Sequence, residues 1–177
     1  MDVYEGFGNA FEGTTKSIKL YSDGASRGNG KDKSVCAYAY YAKYEGYEML
    51  NGKAFCGYTN NQMEILGLIR GLQHITNKKI PVKVYLDSKY VYNAITQHWI
   101  YSWKRQGWTK KGGLKNTRYW QVLLREIEKF DVIEYYWVKG HASNFGNNTV
   151  DEECNKLMDE YIKGELENGY ENSEQQE

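Results

Sequence analysis

Proline occurs once in this chain, at position 81. With so few breaks of that kind, neither a polyproline spacer nor a proline-rich disordered segment can be present. Cysteine is nearly as sparse: Cys36, Cys56 and Cys154 are odd in number and lack paired spacing, which suggests neither a disulfide framework nor a zinc site and points to a reducing compartment. No apolar stretch is long enough to span a bilayer, and Met1 to Gly13 lack the basic start and apolar run of a secretion signal. The expectation is a cytoplasmic protein with no membrane partner. No heptad seam asks for a second copy, so a monomer is expected.

Net charge is also absent, but only on average. From Ser88 to Arg125 the cations 89, 104, 105, 110, 111, 115, 118 and 125 meet no Asp or Glu, whereas ten acids and two lysines lie between Asp151 and Glu177. Trp99, Tyr101, Trp103 and Trp108 are interleaved with the cations, a mixture suited to phosphates and to sugar or base faces.

What is present is an ordered alternation of periods. Ile18, Leu20 and Ser22 alternate with Lys19, Tyr21 and Asp23 as in a strand, followed by Gly-Ala-Ser-Arg-Gly-Asn-Gly, so Asp23 is expected at or near the strand end. Residues 34–43 and 46–57 read as two more strands of an antiparallel meander. Thr59 and Gln62 form a possible capping box for a helix to about Thr76, with Glu64 in its first turn or so and Gly67 and Gly71 allowing close backbone approach.

Val82 to Asp87 alternates as a strand ending in a second carboxylate, after which Ser88 caps a short helix to about Ile95. Further helices are expected over 97–108 and from Asn116 or Thr117 to about Phe130, then a strand over 132–138. A last helix, capped by Thr149, would carry Asp151 in its first turn. The order implies an α/β fold with a mixed five-stranded sheet, three antiparallel strands plus two parallel ones, flanked by helices.

Asp23, Glu64, Asp87 and Asp151 are thus four carboxylates delivered by four elements. Crowded together they would repel unless divalent cations sat among them, and oxygen-only ligands favour Mg²⁺ or Mn²⁺ over zinc. Two such ions about 4 Å apart can activate a water and stabilise a leaving oxygen at a phosphodiester.

Tyr-Ser-Asp23-Gly-Ala, Thr59-Asn-Asn-Gln-Met-Glu64, Leu-Asp87-Ser-Lys-Tyr-Val, the run Trp99 to Trp108, and Lys-Gly-His141-Ala with Asp151 ten residues on resemble the type 1 ribonuclease H family, in order from about Ser17 to Lys163. The resemblance implies a ribonuclease H-like fold and a two-metal endonuclease that cuts the RNA strand of an RNA·DNA hybrid, leaving 5′-phosphate and 3′-hydroxyl ends. It makes Asp23, Glu64, Asp87 and Asp151 the metal ligands, and His141 a loop histidine that assists proton transfer or product release.

It assigns reading of the RNA 2′-hydroxyl to Gly24, Ala25, Ser26, Asn60, Asn61 and Glu64, and makes Asn29 a further nucleic-acid-binding residue. The DNA strand would be held by a basic protrusion at about 97–118, through Trp99, Trp103, Lys104, Arg105, Thr109 and Asn116. The chain departs from the family in a short loop with Gly112-Gly113, in Gly57 where some members carry a phosphate-binding arginine, and in the lack of proline after Ala142. Residues 1–16 are then a loose leader, 17–163 the catalytic domain and 164–177 an acidic tail. The alternatives are a non-catalytic nucleic-acid-binding module, which would be expected to have lost an acid, and another nuclease of this fold. Exonucleases of that architecture usually carry Glu where this chain has Ala25.

Overall fold

In the computed structural model, residues 16–139 and 144–174 are described, with side chains as far as Leu166. The elements are β1 (Ile18–Ser26), β2 (Val35–Tyr44), β3 (Tyr47–Cys56), α1 (Asn60–His74), β4 (Val82–Leu86), α2 (Lys89–Thr96), α3 (Trp99–Arg105), α4 (Thr117–Ile127), β5 (Ile133–Trp137) and α5 (Phe145–Glu174). The sheet order is β3-β2-β1-β4-β5. β1 pairs antiparallel with β2 and parallel with β4, β2 pairs antiparallel with β3, and β4 pairs parallel with β5. This is the mixed sheet expected from the sequence. Among the described residues no helix is long and apolar enough to cross a membrane.

Alternation along the strands separates two cores. On one face Leu20, Tyr38, Tyr40 and Val84 meet Leu68 and Leu72 of α1, with Trp120 and Leu123 of α4 in the same cluster. On the other, Ala37, Ala39 and Tyr41 meet Val150, Cys154 and Met158 of α5. Small residues control how near the helices come. A β-carbon at Gly67 would lie 2.8 Å from the Asp23 carbonyl oxygen, and one at Gly71 would lie 2.9 Å from Leu20 Cδ1, so both glycines let α1 sit directly on β1.

Four local expectations change. β1 does not stop at the Gly24 turn but runs on to Ser26, because β2 continues to pair with it as far as Cys36; Asp23 is therefore within the strand, opposite Ala39. The helix expected over 97–108 is confined to Trp99–Arg105, since His98 takes a left-handed conformation (φ 59°) that separates it from α2. Glu64 is the fifth residue of α1, placing it past the first turn. The last helix begins at Phe145; Thr149 lies inside it, its hydroxyl donating to Phe145 O at 2.8 Å, and Asp151 falls in the second turn.

Candidate active site

Asp23 is carried by the central strand, which is paired on both sides. Its neighbour Gly24 lies against the start of α1. A β-carbon there would collide with the Met63–Glu64 peptide, so the absence of a side chain is what lets Glu64 reach the strand. The helix start is fixed by the capping box: Thr59 Oγ1 accepts from Gln62 N at 3.1 Å, and Gln62 Oε1 accepts from Thr59 N at 3.0 Å. Asp87 follows β4, where Ser88 caps α2 through Val91 N and Trp137 Nε1 donates to the Asp87 carbonyl at 3.1 Å.

These placements bring one carboxylate oxygen each from Asp23, Glu64 and Asp87 within 4.8 Å of one another. Asp23 is only 6% exposed and accepts a hydrogen bond from Gly24 N at 2.8 Å. Burial, then the charge of Asp87, pushes its carboxyl up to about 7, against the opposing effect of a hydrogen bond with Glu64. Burial, then repulsion from Asp23 and Asp87, raises Glu64 well above the usual carboxylate range. Bare, the cluster therefore holds protons that isolated acids would release.

Glu64 Oε2 is buried and has no hydrogen-bond partner among the described residues, which suits an oxygen intended for a cation. Three hard oxygen donors with no cysteine or histidine among them fit a divalent ion of the Mg²⁺ or Mn²⁺ kind.

Asp151 stands outside the 4.8 Å set, on α5, near enough for its charge to act on Asp23. One turn further along the same helix, Cys154 Sγ lies 3.8 Å from the Asp23 carbonyl, and burial plus the surrounding carboxylates drive its thiol strongly upward. In the sequence Cys154 is one of three cysteines without paired spacing; its distance of three from Asp151 on a helix is the signal that places it here. Trp137, likewise unremarked in the sequence, was detectable only through tertiary contact.

The residues assigned to the RNA strand gather beside this cluster. Asn60 Oδ1 accepts from Ser26 N at 2.6 Å, and Asn29 Oδ1 accepts from Asn60 N at 3.0 Å, tying the β1–β2 turn to the helix start. Asn61 is exposed there, and Ser26 Oγ is buried without a hydrogen-bond partner among the described residues.

The protrusion is more structural than its composition suggested. Trp120 is wholly buried, with Trp103 packed on it at a ring separation of 5.5 Å, while Trp99 is 41% exposed. Lys104 pairs with Glu128 at 2.7 Å, and Thr109 donates to Gln106 O at 2.7 Å. Arg105 is exposed, and Asn116 begins α4 in a left-handed conformation. A groove of about 520 Å³ opens between Trp99, Trp103, Gln106, Lys110 and Lys115. His141 lies outside the described residues.

The chain matches the RNase H family model over residues 15–158. It is similar to a Ribonuclease H of Clostridium botulinum, 36% identical over 148 residues covering 82% of this chain and 98% of that one. A Ribonuclease H of Methylobacillus flagellatus is 35% identical over 151 residues, covering 84% and 96%. Among solved structures, LC9-RNase H1, described as a type 1 RNase H with the type 2 active-site motif, superposes with a TM-score of 0.71 at 22% identity, covering 81% of this chain and 72% of that one. Carboxylates converging from β1, α1 and β4, on a sheet of this order and in a chain with these relatives, place the protein in the ribonuclease H family.

Proposed function

We propose that the protein is an endoribonuclease that hydrolyses the RNA strand of RNA·DNA hybrids, with Asp23, Glu64, Asp87 and Asp151 holding two Mg²⁺ ions, or Mn²⁺ in their place. The observation that carries this reading is the meeting of Asp23, Glu64 and Asp87 within 4.8 Å in a pocket that raises the carboxyls of Asp23 and Glu64. Divalent ions bound there would activate the attacking water and stabilise the leaving oxygen of a phosphodiester.

The chain's own residues do the positioning. Gly24 and the Asn29–Asn60–Ser26 hydrogen bonds hold a rigid edge of backbone and amides beside the acids, where the 2′-hydroxyl present on one strand only can be read. Exposed Asn61 is the side chain on that edge with capacity to bond it. Trp99, Arg105 and the exposed lysines of the protrusion would hold the DNA strand, with Trp103 setting the shape of the surface from below. Thr109 and Asn116 would shape the loop that follows. His141 would move a proton or help the product leave.

We read residues 17–163 as the catalytic unit, acting as a monomer in the cytoplasm; free Cys36, Cys56 and Cys154 support a reducing compartment. The test is cleavage of matched hybrid, duplex RNA and duplex DNA with and without Mg²⁺. Hybrid-only cleavage that requires the ion is expected; metal-independent binding without a cut strand would instead favour a non-catalytic module.

A further inference from the structure

On the α5 side of the sheet, an open groove of about 420 Å³ is lined by Lys19, Tyr21, Tyr41, Lys43, Asn144 and Phe145, among others. Its floor belongs to a row of four tyrosines. Tyr41, Tyr21, Tyr85 and Tyr136 are direct partners across four neighbouring strands, with ring separations of 5.8, 4.7 and 5.1 Å. The next row outward carries Lys43, Lys19 and Lys83, and ends in Glu134 on β5, away from the groove. Gly146 lets the first turn of α5 rest on the Tyr21 ring, since a β-carbon there would collide with it. Beside that contact Phe145 stands 75% exposed, edge-on to Tyr41 at 6.4 Å.

This arrangement offers what a single strand of nucleic acid needs. A phenylalanine braced at its edge and left in solvent presents ring surface on which an unpaired base can stack, whereas a duplex keeps its base faces covered. The cations face the same space. Glu45 on the rim is paired with Lys16 at 2.9 Å, and Lys43 approaches Glu48 at 3.5 Å across an exposed hairpin, a weak pair that a phosphate can displace; Lys19 is exposed.

The groove neighbours the acid cluster along β1, with the contact of Gly146 on Tyr21 between them. Asp23 lies two residues beyond Tyr21 on the same face of β1, roughly 7 Å along the strand. Asp151 follows Phe145 on the same helix. If the proposed function holds, the strand at the acids is the one being cut, so a strand that reaches the groove from there is RNA.

We propose that this groove is a second nucleic-acid subsite, which takes one or two unpaired nucleotides of the RNA strand extending beyond the cleaved phosphate, with phosphates on Lys19 and Lys43 and a base on Phe145.

The test compares a blunt hybrid with the same hybrid bearing an overhang of about four nucleotides, of RNA or of DNA, at either end. Cleavage is followed by kinetics with Mg²⁺, and affinity by fluorescence anisotropy in EDTA. The wild-type protein is expected to bind one of the RNA-overhang substrates about tenfold more tightly than the blunt one, on the scale of one stacked base. Combining Lys19→Ala, Lys43→Ala and Phe145→Ala should erase that preference while leaving kcat and KM on blunt hybrid within about twofold. Loss of two phosphate contacts should flatten the salt dependence for the overhang substrate by about 1.4 in log–log slope.

If melting shows that the triple variant is unfolded, Phe145→Ala alone carries the test, because its side chain is largely outside the core. Absence of an overhang preference in the wild type, its survival in the variants, or an equal gain from a DNA overhang would overturn the proposal. Failure to cut blunt hybrid would count against the proposed function instead, while anisotropy would still report on the groove.

Discussion

Gly24 and Glu64 are in backbone contact: a single methyl group on Gly24 would collide with the Glu64 amide nitrogen and the Met63 carbonyl carbon. The strand carrying Asp23 and the helix carrying Glu64 are thus held together by the lack of a side chain. Gly24→Ala is expected to cost about 3 kcal/mol or more, because the obstruction is backbone and cannot swing aside. Hybrid cleavage should fall with it even below the melting temperature. Gly164→Ala is the control: it lies within α5, a new β-carbon meets nothing within 4 Å, and a gain of about 0.5–1 kcal/mol is expected. Equal effects of the two changes in chemical denaturation would refute this account of the contact.

Asp23→Asn should abolish hybrid cleavage, by about a thousandfold or more in kcat, while circular dichroism stays native. The amide retains the size of the carboxyl but cannot serve as an anionic oxygen ligand. Residual activity near the wild-type level in a gel assay would remove Asp23 from the site.

The raised carboxyls make stability without metal depend on pH in a stated direction. Folded, Asp23 keeps its proton up to about pH 7, whereas its ordinary value is 3.8. Between those limits the folded state binds more protons than the unfolded one, so this contribution is complete below about pH 4 and is lost as pH rises to about 7. Glu64 shifts in the same direction. In EDTA the wild type is expected to lose up to about 4 kcal/mol from this source between pH 4 and pH 8, a fall in Tm on the order of 10 °C. Mg²⁺ at pH 8 should restore it, and Asp23→Asn should remove much of the difference. Identical pH profiles for wild type and variant in thermal melts would show that Asp23 is not the group responsible.

Two tryptophans of the protrusion should separate by readout. Trp103 packs on buried Trp120, so Trp103→Ala should cost roughly 2–4 kcal/mol of stability. Trp99→Ala, at an exposed position, should leave Tm nearly unchanged and weaken hybrid binding severalfold. Denaturation and anisotropy measured on both variants check the pair.

The two kinds of tryptophan also show where reading the sequence reached its limit. Interleaving with cations marked the segment as a surface, but the 3.6-residue period of a short helix could not reveal that Trp103 faces Trp120 on α4, a contact set by how the two helices pack. Element order, strand pairing and the acids on β1, α1 and β4 were legible because each leaves a local trace: alternation, a capping box, a carboxylate after an apolar strand. The left-handed turn at His98 left none, since the residue is not glycine; the early start of α5 did leave one in Asn144, whose side chain accepts from Asn147 N at 3.3 Å as an N-cap, but the neighbouring asparagines and Thr149 offered equally good caps. The tyrosine row was visible only as ordinary alternation in four separate strands, and became one object when the register aligned them.

β1 is bonded to neighbours along both edges, while among the described residues β3 and β5 each pair on one side only. Amide exchange should consequently be slowest around Ser22 and Asp23, and fraying at the periphery can occur without releasing Asp23 from the acid cluster. An organism could therefore alter the rims of this sheet extensively, by insertion or by fusion to another domain, before the cutting centre registered the change.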